Sequence, residues 1–216
     1  MPEKIKVKVK VCGITREEDA QTALDLGAEA IGINLYQPSP RSVSLKRAQE
    51  LLQTIPQGKR VMVDVSPSLK ELKQRLELGF DKFQIHFPHT TPDSTIDEWS
   101  RVVGTEYLWL APRIPQGKDF PERLLGLAQT FLIDAPSNHL YGGTGETGNW
   151  QAFKALKTKN PHKTWILAGG LNPENIAQAI QTSETAYVDI NSGVETSPGV
   201  KDAGKLAALF NNLPRL

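Results

Sequence analysis

One cysteine, Cys12, stands among 216 residues, so no disulfide can form within the chain and a reducing compartment is the expected setting. Charge of one sign is equally scarce: 25 basic against 24 acidic residues leave a formal net of +1. Such a balance gives no global field to hold nucleic acid or an anionic membrane, so any anion must be gripped locally. Apolar runs are short, and none approaches the roughly 20 residues that span a bilayer. The first residues, Met1 to Lys6, carry charge but no apolar core of signal-peptide length, which points to the cytoplasm. No linker, low-complexity tract or block of like charge divides the chain, and one domain over residues 1–216 is expected.

What is present is alternation. Short β-branched runs recur, each followed by a longer stretch with helical spacing. The strands are read at Val7 to Cys12, Ala30 to Leu35, Arg60 to Val65, Lys82 to Phe87, Tyr107 to Ala111, Thr130 to Asp134, Thr164 to Ala168 and Ala186 to Asn191. Helices are read near Arg16 to Leu26, Leu45 to Ile55 and Leu69 to Leu78, the first and third stopped by Gly27 and Gly79. Eight strands alternating with helices throughout imply a parallel sheet. Eight units with no second domain left over favour a closed (β/α)8 TIM barrel, an α/β fold, over an open doubly wound sheet.

Side chains alternate across a strand, so parity can be read directly. Val7, Val9 and Val11 share the face expected under the helices, which turns Lys10 and Cys12 inward. The same reading puts Gln84 and His86, Leu132 and Asp134, and Asp189 and Asn191 inside. Reactive groups therefore converge at the C-terminal ends of strands one, four, six and eight, where barrel active sites are built.

Each candidate has a plainer alternative. Cys12 is either a base made usable by an electropositive setting or a buried, inert thiol. Asp134 is either an acid whose pKa is raised by burial or a like charge, or a loop-capping carboxylate. Asp189 is the like charge nearest by parity, although a structural hydrogen-bonded role fits it better. Gly169 and Gly170 after strand seven, and Ser192 and Gly193 after strand eight, suit a phosphate held by backbone N–H groups. Tight-turn chemistry alone would also account for either loop. Arg41 is a solvated loop charge or a bidentate partner for a substrate carboxylate. Gly143, in the longest irregular segment, Ala135 to Gly148, belongs to a loop that either closes over a substrate or is only flexible. His86 and His89 lack a carboxylate or cysteine cluster at ligand spacing, so no metal is expected. No dinucleotide fingerprint follows the first strand, and no cofactor is expected.

Taken in order, these pieces resemble the phosphoribosylanthranilate isomerase family from near Lys8 to near Asp202. The matching stretches are Lys10 to Thr15, Ser39-Pro40-Arg41, Gln84-Ile85-His86, Leu132-Ile133-Asp134, Tyr141 to Gly145 with Trp150, Gly169 to Asn175, Val188-Asp189 with Ser192 to Glu195, Pro198-Gly199 and Lys201-Asp202. The resemblance implies an Amadori rearrangement in tryptophan biosynthesis, with Asp134 as general acid and Cys12 as general base. It further implies that Arg41 holds a carboxylate, that the Gly170 and Gly193 loops hold a phosphate, and that His86, Gly143, Gly169, Asn191 and Ser192 line the substrate.

The implied partner is a small phosphorylated substrate, with no nucleic acid or membrane, in a monomer or homodimer. Three positions depart from the family pattern, and all are expected on the anthranilate side of the pocket. Asp64 replaces an aromatic on strand three, Phe87 replaces a glycine after His86, and strand five lacks a lysine, with Arg113 just beyond. Two rival readings are a barrel such as indole-3-glycerol-phosphate synthase, which would need a lysine acid, and a non-catalytic phosphate-binding paralogue. Lys10 has the parity for the first but lies below the mouth; retention of Cys12 and Asp134 argues against the second.

Overall fold

A computed structural model of the chain describes residues 6–115, 117–134 and 150–214. Eight parallel strands close into a barrel in sequence order: β1 (Lys8–Val11), β2 (Ala30–Asn34), β3 (Arg60–Val65), β4 (Lys82–Pro88), β5 (Leu108–Arg113), β6 (Thr130–Asp134), β7 (Thr164–Ala168) and β8 (Tyr187–Ile190). Three of these match the sequence reading end to end, and the others shift by a residue or two at their ends. Around them lie α1 (Glu17–Asp25), α2 (Leu45–Leu52), α3 (Leu69–Leu76), α4 (Asp93–Val103), α5 (Trp150–Lys159), α6 (Ile176–Ser183) and α7 (Ala203–Asn211). Among the described residues, no helix is long and apolar enough to cross a membrane.

Local chemistry sets the ends of these helices. Ser68 and Glu71 form a reciprocal capping box that starts α3, satisfying two donors the helix leaves open. Gly27 and Gly79 follow α1 and α3 at φ +94° and +93°, a region that residues with a Cβ avoid.

Two apolar layers follow from strand parity. Val9, Val11, Ile31, Ile33, Ile85, Phe131, Val188 and Ile190 pack outward into the core beneath the helices. Inside the barrel, Ala30, Val61, Val63, Trp109, Leu132, Ile166 and Tyr187 fill the interior with Cys12 at its upper edge. Each such side chain, fully buried, contributes about 1.5–3 kcal/mol, and the interior is packed rather than hollow.

The expected alternation fails in one unit. Between β5 and β6 the chain makes only a 3-10 turn, Glu122–Gly126. Pro115 and Pro121, with Gly117 and Gly126, lie in this stretch and deny an α-helix the run of donors and helix-favouring residues it needs. An aromatic cluster covers the strands instead: Phe120 meets Phe131 and Trp165 edge-on at 5.3 and 5.2 Å, and Phe131 stacks on Trp165 at 5.1 Å. A second feature went unread in the sequence. After β8 come a 3-10 turn, Ser192–Val194, and a small hairpin of β9 (Glu195–Ser197) and β10 (Val200–Lys201).

Candidate active site

The base candidate sits directly above β1. Cys12 donates its backbone N–H to Ile190 O at 2.8 Å, which pins it to the end of β8. Its side chain is 6% exposed, so it faces the mouth from within protein. One pitch below, Lys10 is wholly buried, and its Nζ lies 2.7 Å from Asp189 Oδ1. The β1–β8 register sets these two residues side by side.

Both side chains crowd one point on β2. A Cβ added to Gly32 would stand 3.0 Å from Cys12 Sγ and 3.0 Å from both Lys10 Cε and Nζ. The sulfur and the ammonium therefore share a space that only glycine leaves open.

Burial is the largest influence on the Cys12 thiol and pushes its pKa up, with Asp189 adding to the rise. Lys10 and Lys201 act against this by favouring the thiolate. Lys10 itself is desolvated, which works against its charge, yet Asp189 and then Cys12 more than restore it. It is an ammonium at neutral pH.

A second ionic cluster closes the β1 side of the mouth. Arg41 Nε lies 2.9 and 3.1 Å from the two Glu195 oxygens, and its Nη2 lies 2.6 Å from Oε2. Lys201 Nζ donates to Glu195 Oε1 and Asn191 Oδ1, both at 2.8 Å. Burial would raise the Glu195 pKa, but Arg41 and Lys201 hold it below the usual carboxylate range. Arg41 thus meets a carboxylate, as its chemistry suggested, but that carboxylate is the protein's own. Among the described residues no hydrogen bond engages its Nη1. Gly13, at φ +72°, lets the Cys12 segment approach this cluster; a Cβ there would lie 2.7 Å from Asn191 Oδ1 and 2.8 Å from Arg41 Cδ.

The acid candidate occupies the far side of the mouth. Asp134 ends β6 with its tip open to solvent, yet partial desolvation still raises its pKa, and Asp189 raises it further. Arg113, at the end of β5, opposes the shift. His86 is driven down to about 4 by burial, with Lys10 adding to the fall. It is therefore neutral at pH 7, and the Gln84 amide donates to its Nε2 at 2.7 Å.

The two glycine loops meet. A Cβ on Gly193 would lie 2.0 Å from Leu171 O, so glycine is what lets the post-β8 turn touch the post-β7 loop. Gly169 and Gly170 take φ +98° and +62°. Asn172 Oδ1 accepts from the backbone N–H groups of Glu174 and Asn175 at 3.0 and 2.9 Å, bracing the loop. The backbone N–H groups of Gly170, Ser192 and Gly193 have no intramolecular acceptor among the described residues, and an anion is the natural occupant of such donors.

Cys12, Arg41, His86, Asp134, Asn191, Ser192, Gly193, Gly169 and Gly170 all belong to this mouth. Gly143 lies outside the described residues. The expectation for two of the departures is corrected. Asp64 has outward parity and ion-pairs with Arg75 of α3 at 2.8 Å, while Phe87 packs edge-on against Trp99 of α4 at 5.7 Å. Both belong to the layer under the helices, because each is an odd step from an inward neighbour, Val63 or His86. Only Arg113 reaches the mouth. Gly32, Glu195 and Lys201 were missed as contributors; the shared inward parity of Lys10 and Asp189 was the legible sign of the buried pair.

Fold and site together define a class: a parallel (β/α)8 barrel with an ionisable pair across its C-terminal mouth and two anion-ready loops beside it. Residues 9–212 match the family model described as N-(5'phosphoribosyl)anthranilate (PRA) isomerase. The chain is 38% identical over 215 residues to N-(5'-phosphoribosyl)anthranilate isomerase of Synechococcus sp., covering 97% of each. A solved phosphoribosyl anthranilate isomerase in complex with reduced 1-(o-carboxyphenylamino)-1-deoxyribulose 5-phosphate is similar at TM-score 0.76 and 28% identity, covering 95% of this chain and 97% of that one. The dimeric isomerase of Thermotoga maritima, solved in monomer form, is similar at TM-score 0.75 and 26% identity, with coverage of 95% and 97%. This chain belongs to the phosphoribosylanthranilate isomerase family.

Proposed function

We propose that the chain catalyses the isomerisation of N-(5-phosphoribosyl)anthranilate to 1-(2-carboxyphenylamino)-1-deoxyribulose 5-phosphate, a step of tryptophan biosynthesis. Asp134, protonated, delivers its proton to the furanose ring oxygen. The C1–O bond breaks and the nitrogen lone pair forms an iminium at C1. Cys12, as thiolate, then takes the proton from C2, and the C–H electron pair flows into the iminium. The resulting enolamine tautomerises to the ketone. The iminium is the electron sink, so side chains supply the proton transfers.

One observation carries this reading: Cys12 and Asp134 stand at the same end of the barrel, and both feel the charge of Asp189. The raised Asp134 pKa suits an acid that must keep its proton near neutrality. The unbonded N–H groups of Gly170, Ser192 and Gly193 support the phosphate end, and Arg41 Nη1 supports the anthranilate carboxylate. The phosphorylated ligand of the solved relative agrees with a substrate of this class.

The test follows loss of phosphoribosylanthranilate fluorescence. Cys12→Ala and Asp134→Asn should each lower kcat by about 10²–10⁴. Wild-type turnover no faster than the spontaneous reaction removes the proposal. Near-normal kcat in either variant removes that residue's role.

A further inference from the structure

Lys10 has no exposed surface inside the barrel wall, and its position is costly. Replacing a buried ion pair with apolar residues of similar volume is often neutral or stabilising, so stability alone gives a weak reason to keep an ammonium here. Its surroundings supply a better one. The Lys10–Asp189 hydrogen bond accounts for one of three ammonium protons. The Gly32 gap places Lys10 Nζ and Cys12 Sγ within 3.0 Å of the same point.

We infer that Lys10, clamped by Asp189 and admitted by Gly32, is a positioning residue that keeps Cys12 available as a thiolate while leaving the charge of Asp189 to act on Asp134. The inference rests on the functional reading above but makes a claim that needs no substrate.

The charge layout explains why such a device is needed. Asp189 favours the protonated form of both active groups, which serves the acid and harms the base. An ammonium beside the sulfur offsets the harm where it arises. Several charged or titratable groups bear on the thiol or its lysine: Lys10 of β1, Asp189 of β8, Lys201 of β10, Arg41 of the loop after β2 and His86 of β4. Lys201 and Arg41 are already tied to Glu195. His86 is neutral near pH 7. Lys10 is the cation held by Asp189 that also hydrogen-bonds the Cys12 sulfur, and the one that touches the gap shared with Sγ.

The single cysteine makes the test clean. Protein labelled with 13C at the cysteine β-carbon gives one resonance, whose chemical shift reports thiol ionisation across pH without substrate. Lys10→Met should raise the Cys12 midpoint by about one unit or more, a tenfold loss of thiolate near neutrality. Asp189→Asn should lower it. Opposite movements support the inference, because a purely architectural role gives no reason for the two variants to diverge. No shift in Lys10→Met, or shifts in the same direction, overturns it. Should Lys10→Met not fold, Lys10→Gln takes its place: a raised Cys12 midpoint supports the inference, and a fall or no change overturns it. Wild-type protein without isomerase turnover would count against the proposed function and leave these titrations readable.

Discussion

The two sides of the barrel mouth use the same physical influence to opposite ends. On the β6 side, Asp134 has an exposed tip, and among the described residues Asp189 and Arg113 are the charges that bear on it. Partial desolvation and Asp189 raise its pKa, and nothing more is needed for a carboxyl that must hold a proton. On the β1 side, desolvation falls on a thiol that must lose one. There the protein has added Lys10, Lys201 and Arg41, with Glu195 and Asp189 to hold them. An acid can be prepared by burial; a base of this kind needs burial corrected by charge. That asymmetry accounts for the ionic network on the β1 side, which has no counterpart around Asp134 among the described residues.

Three further changes would break or sharpen this comparison. The largest effect is expected from a carboxylate outside both sides. Asp64 is 2% exposed and paired with Arg75, so Asp64→Asn should cost about 3 kcal/mol in urea unfolding while kcat and KM stay near wild type. A large rise in KM would return Asp64 to the pocket. Gly32→Ala comes next. Its new methyl would press on Sγ and on the Lys10 ammonium, costing about 1–3 kcal/mol of strain and roughly tenfold in kcat/KM. Unchanged kinetics would mean that the crowding seen at this point has no part in catalysis. The smallest effect belongs to the acid side. Arg113→Gln removes the cation that opposes the Asp134 shift, so the carboxyl should keep its proton to higher pH. Carboxyl NMR, assigned by difference against Asp134→Asn, reads the midpoint directly. A fall would reverse the assigned role of Arg113.

The barrel was legible because parity and alternation are short-range signals. Val7, Val9 and Val11 gave the outer face of β1, and from it the inward turn of Cys12 and Lys10 followed. The same parity, applied to Asp64 and Phe87, would have put them under the helices. Family expectation placed them in the pocket instead, and the structure sides with parity. Other features left no local trace. Gly32 reads as one more residue in a β-branched strand, and its purpose depends on two side chains of the neighbouring strand. The Arg41–Glu195 pair joins the loop after β2 to β9, far apart in sequence. The lost helix after β5 was written in Pro115, Gly117 and Pro121, but the regularity of the other units hid it.

That lost helix makes the β5–β6 crossover a place where the chain can be rearranged. Six of the eight units close the ring with an α-helix before the next strand, and α7 follows the last, but after β5 Ile114 and Phe120 pack on the wall without a helix. A side chain built on Gly117 would meet nothing within 4 Å, with Ile114 and Phe120 packed on the core to either side of it. Exposed tips with few contacts accept breaks and inserts most readily. New chain ends, or a grafted domain, therefore have a natural opening here, on the far flank from the thiol and its cations.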